Sequence, residues 1–199
     1  IPVISEIELT YRYKGESRII AITGSNGKST TTALTGHICK TGGMDCAVVG
    51  NIGYSFARQV ALDPKPLYVV EVSSFQLDDI VTLNADIALL LNITEDHLDR
   101  YEYKFENYIR SKFNIIKNQT QKDYFIYCAD DPVIVKHLET NPFISNPLPF
   151  TMQYELPKGA FVSENNMILR VDDEEFVMSI LDFAIKGRHN QYNTMAAGL

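Results

Sequence analysis

The chain has 199 residues, 45% of them hydrophobic, which suits one well-packed core and is too short for two large domains. Its formal charge is -7, with no run of lysines or arginines, so the basic footprint that a nucleic-acid backbone needs is missing and small-molecule partners are expected. No apolar run approaches the roughly 20 residues that cross a bilayer, and the start "IPVISEIEL" lacks the basic head of a signal peptide.

Cys39, Cys46 and Cys128 are odd in number and widely spaced, without the pairing of a zinc site or a disulfide framework. A soluble, cytoplasmic protein in a reducing compartment is the expectation, with no membrane insertion and no oligomer required.

Along the chain, short β-rich runs recur between helical patterns: 18–23 "RIIAIT", 46–51 "CAVVGN", 67–73 "LYVVEVS", 85–93 "ADIALLLNI" and 124–130 "YFIYCAD". Several are apolar throughout rather than alternating, as strands buried on both faces of a parallel sheet are. The expected class is α/β, a P-loop-type, mostly parallel sheet flanked by helices. Beyond Pro157 the texture alternates, and Asn165-Asn166 and Asp172-Asp173 sit where hairpin turns belong, predicting a small antiparallel sheet over 157–182. The last helix-forming run, after Gly187 and Asn190, is cut short, as in a piece of a longer protein.

The first strand leads into "TGSNGKSTT", residues 23–31. Between a strand and a helix, backbone N–H groups of such a loop converge on an anion and the helix dipole adds attraction. Gly24 and Gly27 supply backbone freedom, Lys28 would meet terminal phosphates, and Ser29 or Thr30 would place a hydroxyl on Mg²⁺. The usual G-x-x-x-x-G-K-S spacing calls for glycine at 22, where this chain has Ile22, so the loop is a variant.

Glu71 interrupts an apolar strand near its carboxyl end, where ligands of open α/β sheets collect; an unpaired charge there is costly, which favours a metal-holding role. Glu95, Asp96, His97, Asp99 and Arg100 cluster past the next strand, and His97 suits a metal ligand, a general base or a helix cap. In the helix that follows, Phe105, Tyr108, Ile109, Phe113 and Ile116 form a stripe that also holds Lys112. Periodicity favours Lys112 snorkelling to water over burial with a depressed pKa.

Taken together, "TGSNGKSTT", "GNIG", "EVSSFQL", "NITEDHLDRY", the lysine of "YIRSKFNI" and "GRHNQYN" resemble, in order and across nearly the whole chain, the Mur ligases of bacterial peptidoglycan synthesis. "SSFQL" and "TEDHLDRY" resemble the D-glutamate-adding branch. The resemblance implies ATP binding by Gly24, Asn26, Gly27, Lys28, Ser29 and Thr30, with Asn190 and Asn193 near the adenine. It implies one Mg²⁺ at Ser29 and Glu71, and a second at His97 and a carbamylated Lys112, which reverses the reading of that lysine from periodicity.

Asn51 and Ser73 would meet the muramoyl substrate, and Lys28, Glu71, His97 and Lys112 would carry the catalysis. The implied reaction joins UDP-N-acetylmuramoyl-L-alanine to D-glutamate through an acyl phosphate, releasing ADP. The chain resembles the central ATPase domain, residues 1–199, without the N-terminal UDP-binding and C-terminal domains, so the isolated piece is expected not to ligate. The rivals are another Mur-type or folylpolyglutamate ligase, a P-loop kinase or NTPase transferring phosphate to water or an alcohol, and a nucleotide-binding module with no chemistry.

Overall fold

A computed structural model describes residues 3–183 and 185–199. Nine strands form one sheet in the order β2-β3-β1-β4-β5-β6-β7-β8-β9. These are β1 Arg18–Thr23, β2 Cys46–Gly50, β3 Leu67–Glu71, β4 Ile87–Leu90, β5 Tyr124–Cys128, β6 Asn146–Thr151, β7 Gly159–Ser163, β8 Asn166–Val171 and β9 Glu174–Ser179. The first six run parallel, and β8 and β9 return as antiparallel hairpins on β7. The expected mostly parallel α/β sheet is therefore present. The predicted antiparallel part extends the same sheet through the β6–β7 pairing.

The helices are α1 Glu6–Tyr11, α2 Lys28–Thr41, α3 Phe56–Leu62, α4 Ser74–Asp78, α5 Phe105–Phe113, α6 Pro132–Thr140 and α7 Arg188–Gly198. The strands of the parallel part are apolar because they are covered: Ile19, Ala21, Ile22, Val69, Val70, Leu89 and Phe125 are buried in one continuous core. Ile22, at the position a standard loop gives to glycine, is still inside β1, paired with Glu71 on one side and Leu89 on the other. The loop proper starts two residues later.

β6, "NPLPFT", did not stand out as a strand in the sequence, because proline cannot donate to a ladder. Its geometry shows how two prolines fit. Asn146 N–H donates to Asp123 O at 2.8 Å and Phe150 O accepts from Ala129 N–H at 2.8 Å, so even-numbered residues face β5 and Pro147 and Pro149 face away. On that side β7 joins only at Phe150 and Thr151. Gly159 opens β7 at φ +116°, where a Cβ would lie 2.0 Å from Pro149 O.

β1 lies between β3 and β4, with Ile22 beside Glu71 and Thr23 beside Leu90. The loops leaving the carboxyl ends of these three neighbouring strands meet at one edge, the place where open α/β sheets bind ligands. Among the described residues, no helix is long and apolar enough to cross a membrane.

Candidate functional site

The loop after β1 is held by glycine geometry. Gly27 caps α2 at φ +82°, a left-handed conformation that favours glycine, and a Cβ there would lie 2.5 Å from Asn193 Oδ1, so any other residue would also have to push that side chain aside. Thr31 N–H is bonded to Gly27 O at 2.9 Å, so the N–H groups of residues 28–30 have no acceptor within the helix and open towards the site. Ser29 and Thr30 stand exposed on this first turn.

Two lysines converge on the loop. Lys28 Nζ donates to Gly24 O at 2.8 Å and Ser25 O at 2.9 Å. Lys112 Nζ donates to the same Gly24 O at 2.9 Å and to Thr23 Oγ1 at 3.1 Å. One peptide oxygen thus receives both amines. Snorkelling does not occur: Lys112 is 2% exposed, because the face of α5 that carries it packs towards the sheet edge and α4 instead of open water.

Burial, and then the neighbouring charge of Lys28, push the Lys112 amine down to about 7, against the opposing pull of Asp96, Glu71 and Asp78. Burial also lowers Lys28, opposed by Glu71 and Asp96. The Lys112 ammonium lies 5.2 Å from the Tyr108 ring centroid, and Tyr108 OH is 3.1 Å from Ser25 Oγ.

Glu71 is 1% exposed at the end of β3. Asn51 Nδ2 donates to its Oε1 at 2.9 Å, while Oε2 has no hydrogen-bond partner among the described residues. A buried carboxylate oxygen left open beside two lysines fits a cation or a donor that arrives with a ligand. Ser73 caps α4 in a capping box with Gln76.

His97 has φ 51°, a left-handed conformation, with Nε2 3.4 Å from Asp96 Oδ2 and its ring 5.1 Å from the Phe75 ring. A cavity of about 150 Å³ gathers Lys28, Asn51, Ser73, Asp96, His97 and Lys112, with Glu71 just behind Asn51. Among the described residues no three His, Cys, Asp or Glu side chains cluster to hold a metal. The pair of ion sites expected from the sequence uses only Glu71 and His97 of those types, with a serine and a lysine completing it.

A second cavity, of about 110 Å³, lies across the loop and is bordered by Asn26, Gly27, Asn92, His189, Tyr192 and Asn193. Asn193 faces this space. Asn190 does not border it; its side chain accepts from Asn193 Nδ2 at 3.3 Å and donates to Lys186 O at 2.8 Å. The Tyr192 hydroxyl donates to Asp130 Oδ2 at 2.8 Å, which ties α7 to the carboxyl end of the sheet. The expected residues therefore divide into two groups on either side of the phosphate loop.

Sequence reasoning missed three participants. Tyr108 was read only as a core stripe residue, although its place one turn before Lys112 signals a shared face. Thr23 looked like a strand end, and nothing in its type foretold its bond to Lys112. Asn92 lies inside "NITEDH" with no role attached.

The model of the Mur ligase middle domain matches residues 22–199. The UDP-N-acetylmuramoylalanine--D-glutamate ligase of Christiangramia forsetii is 47% identical over 199 residues, covering 100% of this chain and 44% of that protein. The enzyme of the same name from Cytophaga hutchinsonii is 48% identical over 199 residues, covering 99% of this chain and 44% of that protein. This chain therefore spans under half the length of these relatives. Among solved structures, a UDP-N-acetylmuramoyl-L-alanyl-D-glutamate--2,6-diaminopimelate ligase superposes with a TM-score of 0.73 at 18% identity, covering 96% of this chain and 46% of that one. The MurF ligase from Thermotoga maritima, solved in complex with ADP, gives 0.67 at 19% identity, covering 96% and 47%. At such identities the likeness concerns the fold alone.

Proposed function

This chain belongs to the Mur ligase family, as a middle domain, and we propose that it is the ATP-binding core of an enzyme joining D-glutamate to UDP-N-acetylmuramoyl-L-alanine in peptidoglycan synthesis. The observation that carries this reading is the meeting of Lys28 and Lys112 on Gly24 O beside the half-satisfied Glu71. The Lys28 cation and a helix N-terminus at one point favour a reaction that brings together a carboxylate and a polyphosphate, both anionic. Relatives with the same name at 47% and 48% identity support the choice of D-glutamate as the added amino acid.

In this reading the N–H groups of residues 27–30 and the Lys28 ammonium receive the ATP phosphates, and Asn193 with the second cavity borders the nucleoside. Asn51 and Ser73 line the wall where the muramoyl carboxylate approaches the γ-phosphate. That carboxylate displaces ADP to give an acyl phosphate, and the D-glutamate amine then displaces inorganic phosphate to form the amide.

Lys112, with its amine held down to about 7, has a neutral fraction that can add CO₂: the nitrogen bonds to carbon, the amine loses a proton, and a carbamate anion results. Ser29 and Glu71 would then hold one Mg²⁺ and His97 and the Lys112 carbamate a second. Those ions would supply neutralisation of the negative charge that builds on the transferring phosphoryl group. Glu71 Oε2, buried and open, suits this assignment.

The test is an assay of the complete polypeptide encoded by the gene, following phosphate release and amide product. Phosphate release that requires both the muramoyl acceptor and D-glutamate is the expected result. Nucleotide turnover indifferent to either acceptor would instead assign the site to a kinase or NTPase. The 199-residue chain alone is expected to form no amide at the rate of the complete enzyme.

A further inference from the structure

Beyond β4 the backbone keeps following the phosphate loop. Leu91 N–H donates to Thr23 O at 3.0 Å and Ser25 N–H donates to Asn92 O at 3.0 Å, so the β1–β4 pairing runs on past the ends of both strands. There the Asn92 side chain takes over. Asn26 N–H donates to Asn92 Oδ1 at 2.8 Å, and Asn92 Nδ2 donates to Asn26 O at 3.0 Å. Both bonds go to one loop residue, and they are satisfied together in only one orientation of the amide. Two positions on, Thr94 N–H donates to Ser25 Oγ at 3.0 Å, and Ser25 Oγ donates to Thr94 O at 3.0 Å.

We propose that Asn92 is a positioning residue of the phosphate-binding loop, its side-chain amide holding Asn26 so that the N–H groups of residues 27–30 stay aimed at a nucleotide's phosphates. This rests on the reading of the site as ATP-binding. Three features support it. The loop starts at Gly24 where a standard loop opens on a glycine at 22, and its Ser25 and Asn26 are both bonded to the segment 92–94.

The clamp also uses the N–H groups of Ser25 and Asn26 itself, leaving those from Gly27 onward for the anion. Finally, the chemistry requires an amide of this length: an aspartate offers acceptors only and would set an oxygen against Asn26 O, and an alanine offers nothing. Asn92 also borders the cavity that also holds His189 and Asn193, so direct contact with the nucleoside is the competing role.

The experiment compares wild type with Asn92→Ala in the full polypeptide encoded by the gene, titrating ADP and AMP by calorimetry and measuring the KM for ATP and for the amine acceptor. A loop-positioning role predicts that ADP binding weakens about tenfold, the loss expected for two hydrogen bonds. AMP binding and the KM of the amine acceptor hold, and the KM for ATP rises in step with the ADP loss. Unchanged ADP affinity overturns the proposal. Equal weakening of ADP and AMP also overturns it, since it assigns Asn92 to the nucleoside or to general integrity of the fold.

If Asn92→Ala does not fold, Asn92→Ser, whose hydroxyl is too short to span both bonds, carries the same contrast. The two readings fail separately. A wild type that binds ADP but forms no amide removes the ligase assignment, while the ADP-against-AMP contrast still decides the role of Asn92. A wild type that ligates, with Asn92→Ala indistinguishable from it, removes only the clamp.

Discussion

Glu8 and Lys112 are both withdrawn from water, at 0% and 2% exposure, and their surroundings differ in kind. Glu8 receives the backbone N–H groups of Val81, Thr82 and Leu83, the Thr82 hydroxyl at 2.7 Å and the Arg12 guanidinium at 2.8 Å. Burial pushes its carboxyl up, yet the Val81 N–H, the Thr82 hydroxyl, the Leu83 N–H and Arg12 outweigh burial and hold it down at about 2. Lys112 has one hydroxyl and one shared carbonyl to donate to, with a second lysine on that same carbonyl. A fully partnered buried charge fastens α1 to the segment that leads into β4. A half-partnered one is left with free energy to release when a ligand, CO₂ or an anion arrives.

The largest effect expected from this contrast is on Lys112. Lys112→Met should lower amide formation by the complete enzyme about a hundredfold or more, as loss of a charged group at the reacting phosphate does. Stability should move the other way. The folded pKa of about 7 lies below the unfolded 10.5, so the cost of burying this ammonium is full below pH 7 and fades as pH rises from 7 to 10.5. Urea unfolding at pH 6 should therefore find Lys112→Met no less stable than wild type, with the gap narrowing by pH 9. A clear destabilisation at pH 6 would make Lys112 a structural charge like Glu8 and break the contrast.

Glu8→Gln sharpens the other side. Its folded pKa of about 2 lies below the unfolded 4.5, so its contribution is full above pH 4.5 and is lost as pH falls towards 2. At pH 7 the substitution should cost about 3 kcal/mol in urea unfolding, shrinking as the pH drops below 4. Nucleotide affinity measured on the surviving folded fraction should stay at the wild-type value.

The smallest change comes from Asn51→Ala, which removes the one side-chain hydrogen bond that Glu71 makes among the described residues and leaves both carboxylate oxygens open. A loss of about 1–3 kcal/mol is expected without ligand, and less with nucleotide and Mg²⁺ present. Thermal melting with and without these ligands reads the difference.

The parallel half of the fold was legible because strands covered on both faces must be apolar through their length, as residues 19–22 of β1, 67–70 of β3 and 87–90 of β4 are. β6 escaped because its suitability depends on which neighbour each proline faces, a property of the assembled sheet. The phosphate loop and Glu71 announced themselves through residue type in an unusual place. Lys112 could not, since a helical stripe states which face a residue shares and not what will lie against that face. The bond from Asn51 to Glu71 and the clamp from Asn92 to Asn26 join residues 20 and 66 positions apart, distances at which pattern carries no information.

The two prolines of β6 have a consequence for how the sheet comes apart. Pro147 and Pro149 turn a donorless edge to β7, and only Phe150 and Thr151 are paired across it. The backbone ladder that is continuous from β2 to β6 is thus nearly interrupted before the hairpins β7–β9 begin. Opening of the hairpins along this sparsely paired step would break few backbone bonds and leave the register of Ile22 with Glu71, and the sheet edge that carries the loop after β1, intact.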